Sequence, residues 1–219
     1  MRLPAGEPAF GPWRAQPLAA LAARLAGDGA PAGRARVIAV DGRSASGKTT
    51  LAARLAAALP RAAVVHTDDV AWHHGFFNWG ELLATGVLEP ARRGEPVAYR
   101  PPPWDERGRP GAVAVPAGTA VVIVEGVGAG RRALSHLLDA LVWVQSDAVL
   151  ARERGLARDG DDVAFWDEWD VEEVPFLAAD RPWERADAIV AGTPVLAHDP
   201  VTEVVTARQD GRLHPEAPA

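Results

Sequence analysis

Residues Gly42 to Thr49 read Gly-Arg-Ser-Ala-Ser-Gly-Lys-Thr: one glycine, four intervening residues, then Gly-Lys-Thr. That spacing is the phosphate-loop pattern. Its glycines let the backbone curl so that successive N–H groups converge on phosphate oxygens, at the positive end of the helix that follows. Lys48 brings a compact charge on a flexible stem to the β- and γ-phosphates, and the Thr49 hydroxyl is suited to ligating Mg2+. Lys48 is also the single lysine among 23 basic residues, all the others being arginine. A planar guanidinium does not fit where a point charge must sit inside a tight loop, so the exception agrees with the demand of the motif. The residues expected to hold the phosphates are Gly42, Ser44, Ala45, Ser46, Gly47, Lys48, Thr49 and Thr50.

A phosphate loop needs carboxylate partners for the metal, and transfer to a hydroxyl needs a base. Two places supply them. Asp68 and Asp69 follow the apolar run Ala62 to His66, and Glu125 follows Val121-Val122-Ile123-Val124 and precedes Gly126. Charge at the end of a buried strand is costly unless it is paired or metal-bound, which favours a functional reading of Asp68 and Glu125. For Asp69 a turn or helix-cap role is an equal alternative.

These groups must be positioned by strands and helices. Val37 to Val40 is a short β-branched run typical of a strand covered on both faces, and Thr50 to Leu59 after the loop reads as a helix stopped by Pro60. Further strands are expected at Ala62 to His66, Thr119 to Val124, Ala140 to Val144 and Ala186 to Val190. Helical patterns fall at Pro17 to Leu25, Arg131 to Asp139, Ala148 to Arg158 and Val163 to Ala179. This alternation predicts an α/β domain of the P-loop NTPase type, with a mainly parallel five-stranded sheet and helices on both faces. The expected organisation is an N-terminal leader and edge helix over 1–34, a phosphate-loop domain over 35–206, and a disordered tail over 207–219.

Composition narrows the field. The 219 residues suit one domain of ordinary size, and the absence of cysteine excludes disulfides, thiolate nucleophiles and Cys-ligated zinc. A formal charge of −6 argues against a nucleic-acid strand as main partner. No apolar run reaches the roughly 18 to 20 residues of a membrane span, and the first residues lack a signal-peptide pattern. A cytoplasmic protein without a membrane partner is therefore expected. His66, His73 and His74 match no metal-ligand spacing.

With these residues in place, the chain from Val37 to Pro194 resembles the uridine kinase family of P-loop nucleoside kinases, within a group that includes phosphoribulokinase and one type of pantothenate kinase. The elements that carry the resemblance are the loop at 42–49, Asp68-Asp69, Glu125-Gly126, an arginine-bearing segment at 150–159, and the strand Ala186-Asp187-Ala188-Ile189-Val190. The resemblance implies an ATP- and Mg2+-dependent kinase that phosphorylates a hydroxyl, most naturally of a nucleoside such as uridine or cytidine. It makes Asp68 the general base and gives Mg2+ to Thr49 with Asp68 or Glu125. It also makes residues 150–162 a lid, on which Arg152, Arg154 and Arg158 close over the phosphates. A solvated basic helix face is the alternative for these arginines.

The acceptor is less determined. Residues 70–118 form a long irregular insertion that concentrates Trp72, Phe76, Tyr99 and Trp104. With Asp69 and Arg107 these are the candidate acceptor-binding residues, the aromatic faces stacking on a flat molecule. A small satellite core is the alternative reading. The segment from Tyr99 to Arg107 lacks the histidine that typically follows in uridine kinases, so a non-nucleoside metabolite or antibiotic-like alcohol stays open as acceptor. So do a nucleotide-binding regulatory switch as function and a homo-oligomer as assembly. Acidic residues from Asp159 to Glu173 are expected to form a solvated face.

Overall fold

The computed structural model describes residues 1–4, 6–27 and 33–207. In chain order β1 (Trp13–Pro17) leads into α1 (Leu18–Ala26), and β2 (Arg36–Asp41) runs through the loop into α2 (Lys48–Ala58). Next come β3 (Ala62–His66) and α3 (Thr67–Ala71). The insertion holds short helices α4 (Gly80–Leu83) and α5 (Glu89–Arg92), joined by a π turn, then β4 (Val97–Tyr99), α6 (Pro102–Glu106) and β5 (Val113–Val115). The chain continues with β6 (Val121–Glu125), a 3-10 segment Arg132–Leu137, and β7 (Ala140–Gln145). Two helices follow, α7 (Ala148–Arg158) and α8 (Val163–Asp180), then β8 (Ala188–Ala191) and β9 (Glu203–Ala207).

The main sheet has seven strands in the order β1-β9-β8-β7-β2-β6-β3. The five expected strands form its parallel centre, with β2 paired to both β6 and β7. The count of five is corrected by two antiparallel strands at one edge, β9 on β8 and β1 on β9. So part of the expected leader belongs to the sheet. Trp-Arg-Ala-Gln-Pro has no apolar run to betray a strand, and Pro17 is tolerated because an edge strand leaves one side unpaired. The tail expected from Arg208 onward lies outside the described residues, while Ala207 closes β9.

Side chains alternate along each central strand, so the sheet has two buried faces. Val37, Ala39, Val122, Val124, Leu141 and Trp143 point into one core, with Leu83 and Trp104 of the insertion and Leu177 of α8. Ile38, Val40, Ile123, Val142 and Val144 point into the other, against Leu21 and Leu25 of α1 and Leu51 and Leu55 of α2. Each fully buried Val, Leu or Ile contributes about 1.5–3 kcal/mol. Burial on both faces explains why these strands read as continuous apolar runs. Among the described residues no helix is long and apolar enough to cross a membrane.

Candidate functional site

Parallel strands bring their C-terminal ends to one edge, and the register fixes what meets there. Glu125 lies opposite Val40 on one side and His66 on the other. The loop from Gly42 to Thr49 follows β2, with Gly47 in the left-handed region (φ 100°) before the first turn of α2. Gly126 also has positive φ (147°), and a Cβ there would come within 1.6 Å of the Thr67 hydroxyl oxygen. The strand ends carrying Glu125 and Asp68 are this close because residue 126 has no side chain.

Asp41, the last residue of β2, is fully buried. It accepts N–H bonds from Gly42 (2.7 Å), Gly128 (2.8 Å) and Gly130 (2.9 Å), tying the start of the loop to the turn after β6. Burial pushes its carboxyl up to about 6, against the three amides and Lys48, which hold it down. Lys48 is 7% exposed, and its Nζ donates to the Arg43 carbonyl at 2.8 Å. Burial lowers its pKa, opposed by the carboxylates of Glu173, Glu125, Asp41 and Asp68. An arriving phosphate would add negative charge beside this ammonium and favour its protonated form.

The Thr49 hydroxyl meets Glu125 Oε1 at 3.1 Å, and His66 Nδ1 approaches the same oxygen at 2.6 Å. Hydrogen bonding to Glu125 raises the His66 pKa. Asp68, the second residue of α3, is exposed within the cavity whose walls enclose it. That enclosure pushes it above the usual carboxylate range, opposed by Lys48 and further along by Arg158.

Lys48, Thr49, Asp68, Glu125, Arg154 and Arg158 line a single cavity of about 560 Å³. The residues present fit a nucleotide phosphate chain, because the loop and the cations Lys48, Arg154 and Arg158 line one cavity. They also fit Mg2+, a hard cation that takes one or two carboxylates, keeps several waters and completes its shell with substrate phosphates. Among the described residues no group of three or more carboxylate or histidine side chains is placed to hold a metal ion. A second cavity of about 320 Å³ shares Ala45, Gly47, Thr50 and Arg154 with the first and continues along Leu51, Val190 and Pro194.

Not every expected residue comes to the cavity. Arg152 points away from it, donating to the Trp166 carbonyl at 3.1 Å and to Asp167 and Asp170 of α8. It staples α7 to α8, which corrects its expected catalytic place. The segment expected as a lid, 150–162, covers most of α7 and the turn into α8. Arg154 reaches the Gly192 carbonyl at 3.4 Å, and Arg158 pairs with Asp159.

The expected acceptor-binding set is likewise placed elsewhere. Trp104 is 4% exposed, and its indole N–H donates to the Asp69 carbonyl at 2.9 Å. The Asp69 carboxylate pairs with Arg109, whose guanidinium lies over Trp104 at 3.8 Å and Trp72 at 5.0 Å. Tyr99 packs its ring on Gly86, Phe76 meets Trp169 edge-on, and Arg107 is exposed. This is the satellite-core alternative, joined to the sheet. The aromatic side chains that line the cavity with Asp68 are instead Phe165, Trp166 and Trp169 of α8.

Sequence reasoning also passed over Asp41 and two carboxylates from distant segments. Glu7 is buried and accepts from Arg43, from the Trp143 indole (3.1 Å) and from Gln145 (3.0 Å). Glu173 of α8 accepts the Ser44 N–H at 2.6 Å and is 3% exposed, which corrects the reading of its acidic stretch as wholly solvated.

No protein-family model and no curated protein matches the chain. Among solved structures, a possible uridine kinase from Bacillus stearothermophilus is similar over 78% of this chain and 96% of its own, with 21% identity and a TM-score of 0.52. A protein provisionally described as a fructose transport system kinase, from Silicibacter sp. TM1040, covers 78% of this chain and 95% of its own, with 22% identity and a TM-score of 0.47. The first likeness shows the fold: a P-loop kinase-like α/β domain.

Proposed function

We propose that the protein is an ATP- and Mg2+-dependent small-molecule kinase that transfers the γ-phosphoryl group to a hydroxyl. The observation that carries this reading is the convergence, in one cavity, of Lys48 and the loop with Thr49, Glu125, Asp68, Arg154 and Arg158. Lys48 and the loop amides hold the phosphates, and the nucleotide base takes the second cavity beside Pro194. Thr49, Glu125 and Asp68 are the residues that would hold Mg2+, which neutralises phosphate charge when bound.

Asp68 takes the proton of the acceptor hydroxyl as its oxygen bonds to the γ-phosphorus and the bond to the β-phosphate oxygen breaks, releasing ADP. Its raised pKa suits a base better than an ordinary surface carboxylate. Arg154 and Arg158 complement charge on the transferring group, so catalysis rests on positioning and electrostatics.

For the acceptor, the aromatic rings of Phe165 and Trp169, which line the same cavity as Asp68, support a nucleoside whose base would stack on them. A non-nucleoside alcohol is favoured by another observation: the Tyr99 to Arg107 segment, where uridine kinases read the pyrimidine, is packed into a satellite core or left exposed. A panel of nucleosides and other hydroxyl compounds, incubated with ATP and Mg2+, separates the two. Phosphorylation of an acceptor by the native chain and its loss in Asp68→Asn, with ATP still bound, is the expected result. Nucleotide binding with no acceptor phosphorylated across the panel would move the protein to the class of regulatory switches.

A further inference from the structure

The loop that is built to receive phosphate already holds an anion. Glu173 sits in the second half of α8, on the stripe formed with Trp166 and Leu177, the three buried residues of that helix. Its carboxylate is 3% exposed, and Oε1 accepts the N–H of Ser44, the third residue of the phosphate loop, at 2.6 Å. Burying a carboxylate is costly without a strong partner. Here the partner is the loop amide, and the Glu173 charge is also close enough to favour the protonated form of Lys48.

Ser44 and Lys48 both line the cavity at the phosphate loop, so a nucleotide phosphate entering it would draw on the same donors. A curled loop at a helix N-terminus favours any anion that reaches its N–H groups, and a carboxylate oxygen presents the same acceptor chemistry as a phosphate oxygen. The two cannot accept from Ser44 in the same geometry at once. We infer that Glu173 is an internal stand-in for a nucleotide phosphate, latching α8 to the phosphate loop until nucleotide displaces it.

This inference rests on the reading of residues 42–49 as a nucleotide cradle and adds an order of events to it. Phe165, Trp166 and Trp169, the aromatic wall of the cavity, ride on the helix that Glu173 anchors. Arg152 ties α7 to α8 through Asp167 and Asp170, so the pair moves as a unit. Release of Glu173 therefore repositions the acceptor wall together with Arg154 and Arg158. Nucleotide binds first, and the acceptor site takes its working shape afterwards. A carboxylate displaced in this way also sets a threshold: a ligand whose phosphates do not reach Ser44 leaves the latch closed.

The test compares the native chain with Glu173→Gln, which keeps the shape without the charge, and Glu173→Ala, which removes the acceptor. Binding of ATP and of inorganic tripolyphosphate is followed by tryptophan fluorescence, with Trp166 and Trp169 as reporters on α8, and by calorimetry. Both variants should bind both ligands roughly tenfold more tightly, as expected when a charge-assisted competitor is removed. Amide exchange in α8 should be faster in the free variants than in the free native chain. Glu173→Asp, which keeps the charge but shortens the reach, should also bind more tightly and covers the case in which the other two fold poorly. Unchanged or weaker binding by the folded variants, with the native chain binding normally, overturns the latch and leaves the kinase reading standing. A fall in turnover with unaltered ATP affinity would make Glu173 a catalytic group and overturn it as well. If no form binds ATP or tripolyphosphate, the nucleotide cradle itself is lost, and the latch with it.

Discussion

The Thr49 hydroxyl and the Glu125 carboxylate meet at 3.1 Å, across 76 residues of sequence. One belongs to the first turn of α2 and the other ends β6, and they meet because β2 and β6 are hydrogen-bonded neighbours in register. His66 holds the same Glu125 oxygen from β3. On the proposed function, Glu125→Gln keeps the shape of this cluster and removes its charge. The expected outcome is a Mg2+ requirement shifted upward by roughly tenfold or more, with little change in stability, since oriented carboxylates contribute strongly to ion affinity. A titration of turnover against Mg2+ checks it, and an unshifted curve would take Glu125 out of the metal site.

Lys48 tests shape against charge. It is buried within its own loop, with Nζ on the Arg43 carbonyl and four carboxylates around it. Lys48→Arg preserves the charge, but its planar fork cannot occupy the same point. Turnover is expected to fall on the order of a hundredfold or more, the usual effect of removing a group that stabilises charge in transfer. Full activity in Lys48→Arg would show that the lone lysine of this arginine-rich chain is incidental.

Arg152 and Arg158 stand on one helix and face different partners. Arg152 holds α8 through Asp167, Asp170 and the Trp166 carbonyl, whereas Arg158 lines the cavity and acts on Asp68. Arg152→Ala should lower stability by about 1 kcal/mol, because its partners are partly exposed, and leave turnover within a few-fold of the native value. Arg158→Ala should do the reverse, leaving the denaturation midpoint in place and cutting turnover by roughly tenfold to a hundredfold. Denaturation and kinetics on the same two preparations decide it; matching effects in both would erase the distinction.

What was legible in the sequence follows the physics of each element. The central strands β2, β6 and β7 announce themselves because burial on both faces demands unbroken apolar runs, as in Val121 to Val124. The antiparallel strands β1 and β9 do not, and β1, at the sheet edge, tolerates Arg14, Gln16 and Pro17. Lys48, Thr49, Asp68 and Glu125 were legible because chemistry ties residue type to the ends of strands. Asp41 carried the same signal, a carboxylate closing a buried strand, one residue before the loop. Glu173 was also marked, lying seven residues after Trp166 and four before Leu177 on the stripe that α8 buries. The aromatic insertion misled because stacking surfaces and satellite cores draw on the same residues. Only packing shows that Trp104 belongs to a core and Trp169 to the cavity wall.

Asp41 gives stability a pH dependence with a definite sign. Its carboxyl is raised from an ordinary 3.8 to about 6, because burial outweighs the three amides that favour the charged form. In the unfolded chain the ordinary value applies. Between the two, the folded protein holds a proton that the unfolded chain has released. Its contribution to stability is fully present below pH ~4 and is lost as pH rises through ~6. Asp68 shifts in the same direction, so the native curve alone does not isolate Asp41. The comparison is therefore with Asp41→Asn, in which Asp68 is unchanged and cancels. Urea midpoints measured from pH 4 to 7 should fall more steeply for the native chain than for Asp41→Asn, the difference being confined to the window below ~6. Parallel curves would mean that Gly42, Gly128 and Gly130 offset burial and keep Asp41 ionised throughout, as a fixed anion beneath the loop.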